Sequence, residues 1–89
     1  MEFEWDLRKA ERNLTKHEVS FDEARTVFGD PLAATVSDSV HSQSEARFST
    51  MGRSSKDRIL VVIHTDRNDR IRIISARPAG ARERRQYES

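Results

Sequence analysis

One run of five consecutive apolar residues, Ile59-Leu60-Val61-Val62-Ile63, constrains this chain more than any other feature. Four of the five are β-branched, which favours a strand. The run has no polar face, so both sides need a cover and the strand belongs in the middle of a sheet. Only 35% of the 89 residues are hydrophobic and another 35% are charged. The covers must therefore be short amphipathic elements under a charged shell, in a single domain spanning residues 1–89.

The neighbouring strands are legible from alternation. Arg47-Phe48-Ser49-Thr50-Met51 alternates weakly, and Gly52 to Asp57 is a polar turn. Asp66-Arg67-Asn68-Asp69 reads as a hairpin turn, with Arg70-Ile71-Arg72-Ile73-Ile74-Ser75-Ala76-Arg77 as its return strand. With a four-residue loop, Thr65 pairs with Arg70 and His64 with Ile71. His64 then shares a face with Ile71, Ile73, Ser75 and Arg77. A loop one residue longer or shorter puts His64 on the face of Arg70 and Arg72 instead, and the sequence leaves that choice open. Phe3-Glu4-Trp5 fits a short opening strand, Leu32 to Val36 a short apolar stretch, and the Ser-rich segment from Ser37 to Ser44 a loop.

Two helices precede the sheet. Asp6 stands at an N-cap position, and Leu7, Ala10 and Leu14 follow at helical spacing. Lys16 and His17 suit the negative end of that helix, with His17 in a capping role. Ser20-Phe21-Asp22-Glu23 has the pattern of a capping box, and Gly29-Asp30-Pro31 stops the second helix. Pro78-Ala79-Gly80 breaks the last strand, and Ala81 to Tyr87 predicts a short terminal helix. The expected fold is α+β, with two N-terminal helices packed on one face of an antiparallel β-sheet and a short C-terminal helix.

Several functions are disfavoured at once. The chain has no cysteine, hence no disulfide framework, Cys-ligated zinc or thiol nucleophile. No run approaches the roughly 20 apolar residues of a membrane span. The acidic start is no signal peptide, so the expectation is a cytoplasmic protein without membrane contact. There is no glycine-rich phosphate loop and no GxSxG elbow. The spacing of His17, His41 and His64 recommends no metal site, and no cofactor is expected.

Charge is unevenly spread. Residues 1–45 carry five Lys/Arg against ten Asp/Glu, whereas residues 46–89 carry eleven against five. Thirteen of the sixteen cations are Arg, ten of them in the second half. Guanidinium groups bind phosphate bidentately and stack on bases, so this half suggests a polyanion partner.

These segments together resemble a known family. Phe3-Glu4-Trp5-Asp6, Lys9, Asn13, Lys16-His17, Val19 to Ala24, Phe28 and Asp30-Pro31 are similar to the first half of the BrnT toxins. Arg47-Phe48, Gly52, the strand ending at His64, Arg70 to Arg77, Glu83-Arg84 and Tyr87 are similar to the second half. The resemblance implies a RelE-like fold and a toxin of a type II toxin–antitoxin pair. It implies RNA cleavage that arrests translation, and a BrnA-like antitoxin with a ribbon-helix-helix DNA-binding domain. The complex would repress its own operon, so operator DNA is reached through the antitoxin. Two positions depart from the family pattern. Glu18 stands where Gly would serve a left-handed turn, and Pro78 follows Arg77.

RNA carries its own nucleophile, the 2′-hydroxyl, so a metal-free site needs only proton transfer and charge stabilisation. On this reading Arg77, with Arg72 or Arg70, binds the scissile phosphate. His64 is the expected proton-transfer group, and Tyr87 an alternative acid or stacking platform. Arg67, Arg82, Arg84 and Lys16 are expected to hold flanking RNA. The competing reading is a non-catalytic RNA- or protein-binding module, or a toxin homologue that has lost activity.

Overall fold

The computed structural model describes residues 1–42 and 44–89. Gln43, inside the expected Ser-rich loop, lies outside the described residues. Five strands form one sheet: β1 (Glu2–Glu4), β2 (Ala34–Ser37), β3 (Arg47–Arg53), β4 (Ile59–Arg67) and β5 (Arg70–Pro78). Their order is β1-β5-β4-β3-β2. The apolar run lies in β4, the middle strand. The sheet is mixed rather than antiparallel, because β1 runs parallel to β5 while every other pairing is antiparallel.

Helix α1 spans Leu7–His17. Asp6 caps it, its carboxylate accepting from Arg8 N (2.8 Å) and Lys9 N (3.0 Å). It ends at Glu18 in the left-handed conformation, φ 57° and ψ 34°, the strained turn that a Gly would relieve. Arg58 Nη2 steadies this turn by donating to the Glu18 carbonyl at 3.0 Å. Asn13, on the inward side of α1, acts as a substitute strand. Its side chain donates to the carbonyl of Ala76 (2.8 Å) and accepts from Ala76 N (3.0 Å), and it also donates to the carbonyl of Val19.

Helix α2 is short, Phe21–Arg25, and continues as a 3-10 turn over Thr26–Gly29. Ser20 Oγ accepts from Glu23 N at 3.0 Å, which is half of the expected capping box. Glu23 does not reach back. It is buried, accepting from Ser54 Oγ (2.7 Å) and pairing with Arg58. A buried carboxylate needs a cation more than the helix needs a second cap.

Each face of β4 has its own cover. Leu60 and Val62 pack with Val19, Phe21, Ala24, Val27, Ile73 and Ala76 beneath α2. Ile59 and Val61 pack with Ala79, Met51, Ile63 and Tyr87 on the opposite side, where α3 (Ala81–Glu88) lies. Among the described residues no helix is long and apolar enough to cross a membrane.

The β4–β5 hairpin turns in two residues, Asn68 and Asp69, with Arg67 paired to Arg70 and His64 to Ile73. Asn68 takes φ 56°, which suits the right-handed twist of a tight hairpin. The pairing then slips. Ile63 is opposite Ser75, so Ile74 is an extra residue in β5. This bulge reverses the alternation beyond it.

Candidate functional site

The bulge at Ile74 decides which side chains meet. Before it, Arg70 and Arg72 share a face with Arg67 and Thr65; after it, Ser75 and Arg77 share a face with Ile63 and Val61. These residues of β4 alternate regularly, so Arg70, Arg72 and Arg77 all stand on the α3 side of the sheet. An unbroken alternation would have placed Arg77 with Ile73, over the core.

His64 is on the other side. It is 5% exposed, in edge contact with Phe28 (4.9 Å between ring centroids) and stacked with Phe48 (5.8 Å). Its Nε2 shares a 2.7 Å hydrogen bond with Thr50 Oγ1, which in turn lies 2.7 Å from Thr35 Oγ1. Its Nδ1 has no partner. Burial pushes this imidazole below its ordinary value, with Asp66 pulling weakly the other way. The expected meeting of His64 with Arg77 therefore does not occur. His64 is a neutral, aromatic-sheathed core residue, and the sheet separates it from the arginines.

The arginines of the β4–β5 hairpin each have a carboxylate within 4 Å. Arg72 Nη1 lies 2.9 Å from Glu4 Oε2, and Arg70 Nη2 lies 3.9 Å from Glu2 Oε1. Arg67 grips Glu45 with two bonds of 2.9 Å. Arg77 grips Glu83 with bonds of 2.8 and 2.9 Å, and Glu83 also accepts from Gly80 N at 2.8 Å. The Arg77 guanidinium, followed by that N–H, holds the Glu83 carboxyl down at about 2.

One turn further along α3, Tyr87 donates to Asp30 Oδ2 at 2.5 Å. The Asp30 carboxylate also accepts from Arg53 N (2.7 Å) and Leu32 N (2.9 Å). The Arg53 guanidinium sits 5.6 Å from the centre of the Tyr87 ring. The bond to Asp30 raises the Tyr87 hydroxyl above its ordinary value, so it stays protonated at neutral pH. Gly52 makes this knot possible, since a Cβ there would lie 2.9 Å from Ala33 Cβ and from Val27 Cγ1 and 3.2 Å from Asp30 Oδ2.

Glu83, Tyr87 and Arg53 border a groove of about 820 Å³ floored by Met51, Val61 and Ala34. Five of the residues singled out from sequence thus share this side of the sheet: Tyr87 in the groove, Arg77 bound to the groove residue Glu83, and Arg67, Arg70 and Arg72 further along the β4–β5 hairpin. Arg82 and Arg84 are exposed on α3, where Arg84 Nη1 donates to the Ala79 carbonyl at 3.1 Å. Lys16 is on α1, apart from this groove. Arg53 and Asp30 were missed as a pair. Their only trace in the sequence is the alternation of Met51 with Arg53 and the Asp30-Pro31 stop. No group of three or more His, Asp or Glu able to hold a metal occurs among the described residues.

Fold and site define an α+β protein whose sheet carries an arginine-lined face closed at one end by a C-terminal helix. The chain matches, over residues 5–83, the family described as ribonuclease toxin, BrnT, of type II toxin-antitoxin system, and it belongs to that family. An antitoxin partner follows from that membership. The fold is similar to the crystal structure of the Brucella abortus ribonuclease toxin BrnT, with a TM-score of 0.69 and 22% identity, covering 90% of this chain and 97% of that one. No curated protein matches the chain significantly.

Proposed function

We propose that this chain is a metal-independent endoribonuclease that cleaves RNA by attack of the ribose 2′-hydroxyl, and so inhibits translation. The supporting observation is the bulge at Ile74, which turns Arg77 onto the sheet face of Arg70 and Arg72 beside Tyr87. Arg77 stabilises the extra negative charge on phosphorus. It stays protonated, so its role is electrostatic. As the O2′–P bond forms and the P–O5′ bond breaks, the 2′-hydroxyl proton passes to solvent water. Tyr87, which keeps its proton at neutral pH, donates to the leaving 5′ oxygen and is reprotonated from solvent, or serves as a stacking surface. Arg70, Arg72 and Arg67 hold the adjoining backbone, with Arg82 and Arg84 reaching it from α3. His64 has no part in this chemistry. A cytoplasmic BrnA-like antitoxin with a ribbon-helix-helix domain neutralises the chain and carries it to operator DNA.

The test is incubation of the purified chain with RNA in excess EDTA. The expected products end in 2′,3′-cyclic phosphate. Arg77→Ala is expected to lose about 10²–10³ in cleavage rate, the usual cost of one charge-stabilising contact. Wild-type binding without cleavage would favour the non-catalytic module. That second reading has one observation behind it, since Arg67, Arg70, Arg72 and Arg77 already have carboxylate partners.

A further inference from the structure

The cations of α1 differ from those of the β4–β5 hairpin. Lys9, Arg12 and Lys16, like Arg8, are exposed and form no ion pair among the described residues, whereas Arg67, Arg70, Arg72 and Arg77 each have a carboxylate oxygen within 4 Å. The spacing of three and four places Lys9, Arg12 and Lys16 in one row along the helix. At 1.5 Å per residue the row is about 10 Å long. Asn13, four residues after Lys9 and three before Lys16, is bonded to Ala76; this fixes the rotation of α1 and sets the row alongside β5. The row lines a shallow depression whose other wall is Ile74 and Ser75. Those two residues lie between Arg72 and Arg77 in β5, so the free cations flank the strand that carries the proposed phosphate-binding arginines.

We propose that Lys9, Arg12 and Lys16 form a second phosphodiester-binding site, which holds single-stranded RNA beside the β5 edge and away from the groove. The choice of RNA over other polyanions rests on the ribonuclease reading; the phosphate-binding chemistry does not. A linear row of unpaired cations matches the regular charge of a nucleic-acid backbone and reads no bases. Because these side chains are not held by carboxylates, they bind phosphate without first breaking an ion pair.

The experiment measures binding of the full chain to a single-stranded oligoribonucleotide across a salt series. The variants are Lys9→Gln/Arg12→Gln/Lys16→Gln and, as a control, Arg25→Gln, an exposed cation of α2. Each phosphate contact contributes about 0.7 to the slope of log affinity against log salt. The triple variant is expected to lower the slope by about 2, with the control unchanged and the thermal midpoint of both retained. An unchanged slope in the triple variant overturns the proposal, as does a wild-type chain that fails to bind the oligonucleotide at low salt. A slope lowered on duplex DNA and not on RNA overturns the assignment to RNA. A wild-type chain that binds with the expected slope loss yet never cuts leaves this site standing and removes the nuclease reading instead.

Discussion

Arg77 and Glu83 face each other across the Pro78-Ala79-Gly80 turn, their guanidinium and carboxylate joined by two near-parallel hydrogen bonds. The same carboxylate caps the first turn of α3 through Gly80 N. One side chain thus anchors the terminal helix and occupies the cation proposed to bind phosphate. Glu83→Gln keeps the cap acceptor and removes the charge. Cleavage with the variant is expected to show a lower KM for RNA, because phosphate no longer competes with a carboxylate. A KM unchanged or raised would separate Glu83 from the site.

Acid should loosen this anchor in a defined range. The Glu83 carboxyl has an ordinary value of 4.5 and is held at about 2 in the fold. Its stabilising effect is complete above the ordinary value and drains away as pH falls from there toward 2. The pair is partly exposed, so the loss is small, on the order of 1 kcal/mol or less. Hydrogen exchange of α3 amides, faster at pH 3 than at pH 6 after correction for intrinsic rates, checks it. In Glu83→Gln that acceleration should vanish.

His64 sets a second pH dependence. The unfolded imidazole titrates near 6.5 and the buried one lower. Between the two values the unfolded chain binds a proton that the native chain refuses, so stability falls as pH drops below about 6.5. Thermal midpoints measured from pH 7.5 to 5.5 should decline in the wild type. They should stay nearly flat in His64→Phe, whose ring continues the contacts with Phe28 and Phe48. RNA cleavage by His64→Phe is expected to persist, and its abolition in a folded variant would restore His64 to the reaction.

Gly52→Ala should cost about 1–3 kcal/mol by overpacking β3 against Ala33 and Val27. The displaced segment carries Asp30, so the Tyr87 hydroxyl should lose its acceptor as well. Urea unfolding reads the stability, and the pH titration of the tyrosine absorbance reads the bond, with the apparent value falling toward 10 in the variant.

Glu18→Gly should stabilise the fold by about 0.5–1 kcal/mol, since Gly occupies φ 57° without the Cβ conflict that Glu carries. The contact from Arg58 goes to the backbone carbonyl and is kept. A midpoint in urea that is unchanged or lower would show that Glu18 makes up its strain elsewhere.

Local chemistry was readable wherever one residue decides the outcome. Asp6 and His17 bound α1 as expected, Ser20 opens α2, and the run at Ile59 is the centre of the sheet. The capping box was half right because Glu23 answers a distant Arg58, and no local pattern reports a partner thirty-five residues away. The parallel direction of β1 follows from tertiary placement, since a three-residue strand alternates identically in either sense. The bulge did leave a mark: Ile73 and Ile74 are adjacent apolar residues in a strand that otherwise alternates with arginine. That doubled isoleucine is the trace of the extra residue, and with it the separation of His64 from Arg77 becomes intelligible.

Asn13 carries a consequence for how the molecule meets its surroundings. By answering both main-chain groups of Ala76, its amide denies an incoming chain the hydrogen bonds that would let it zip onto β5 there. The border at β2 has no such guard among the described residues, and its four residues are all exposed. Main-chain pairing at the Ala76 stretch of β5 is thereby blocked, while the border at β2, which adjoins the groove beside Tyr87, stays open to it.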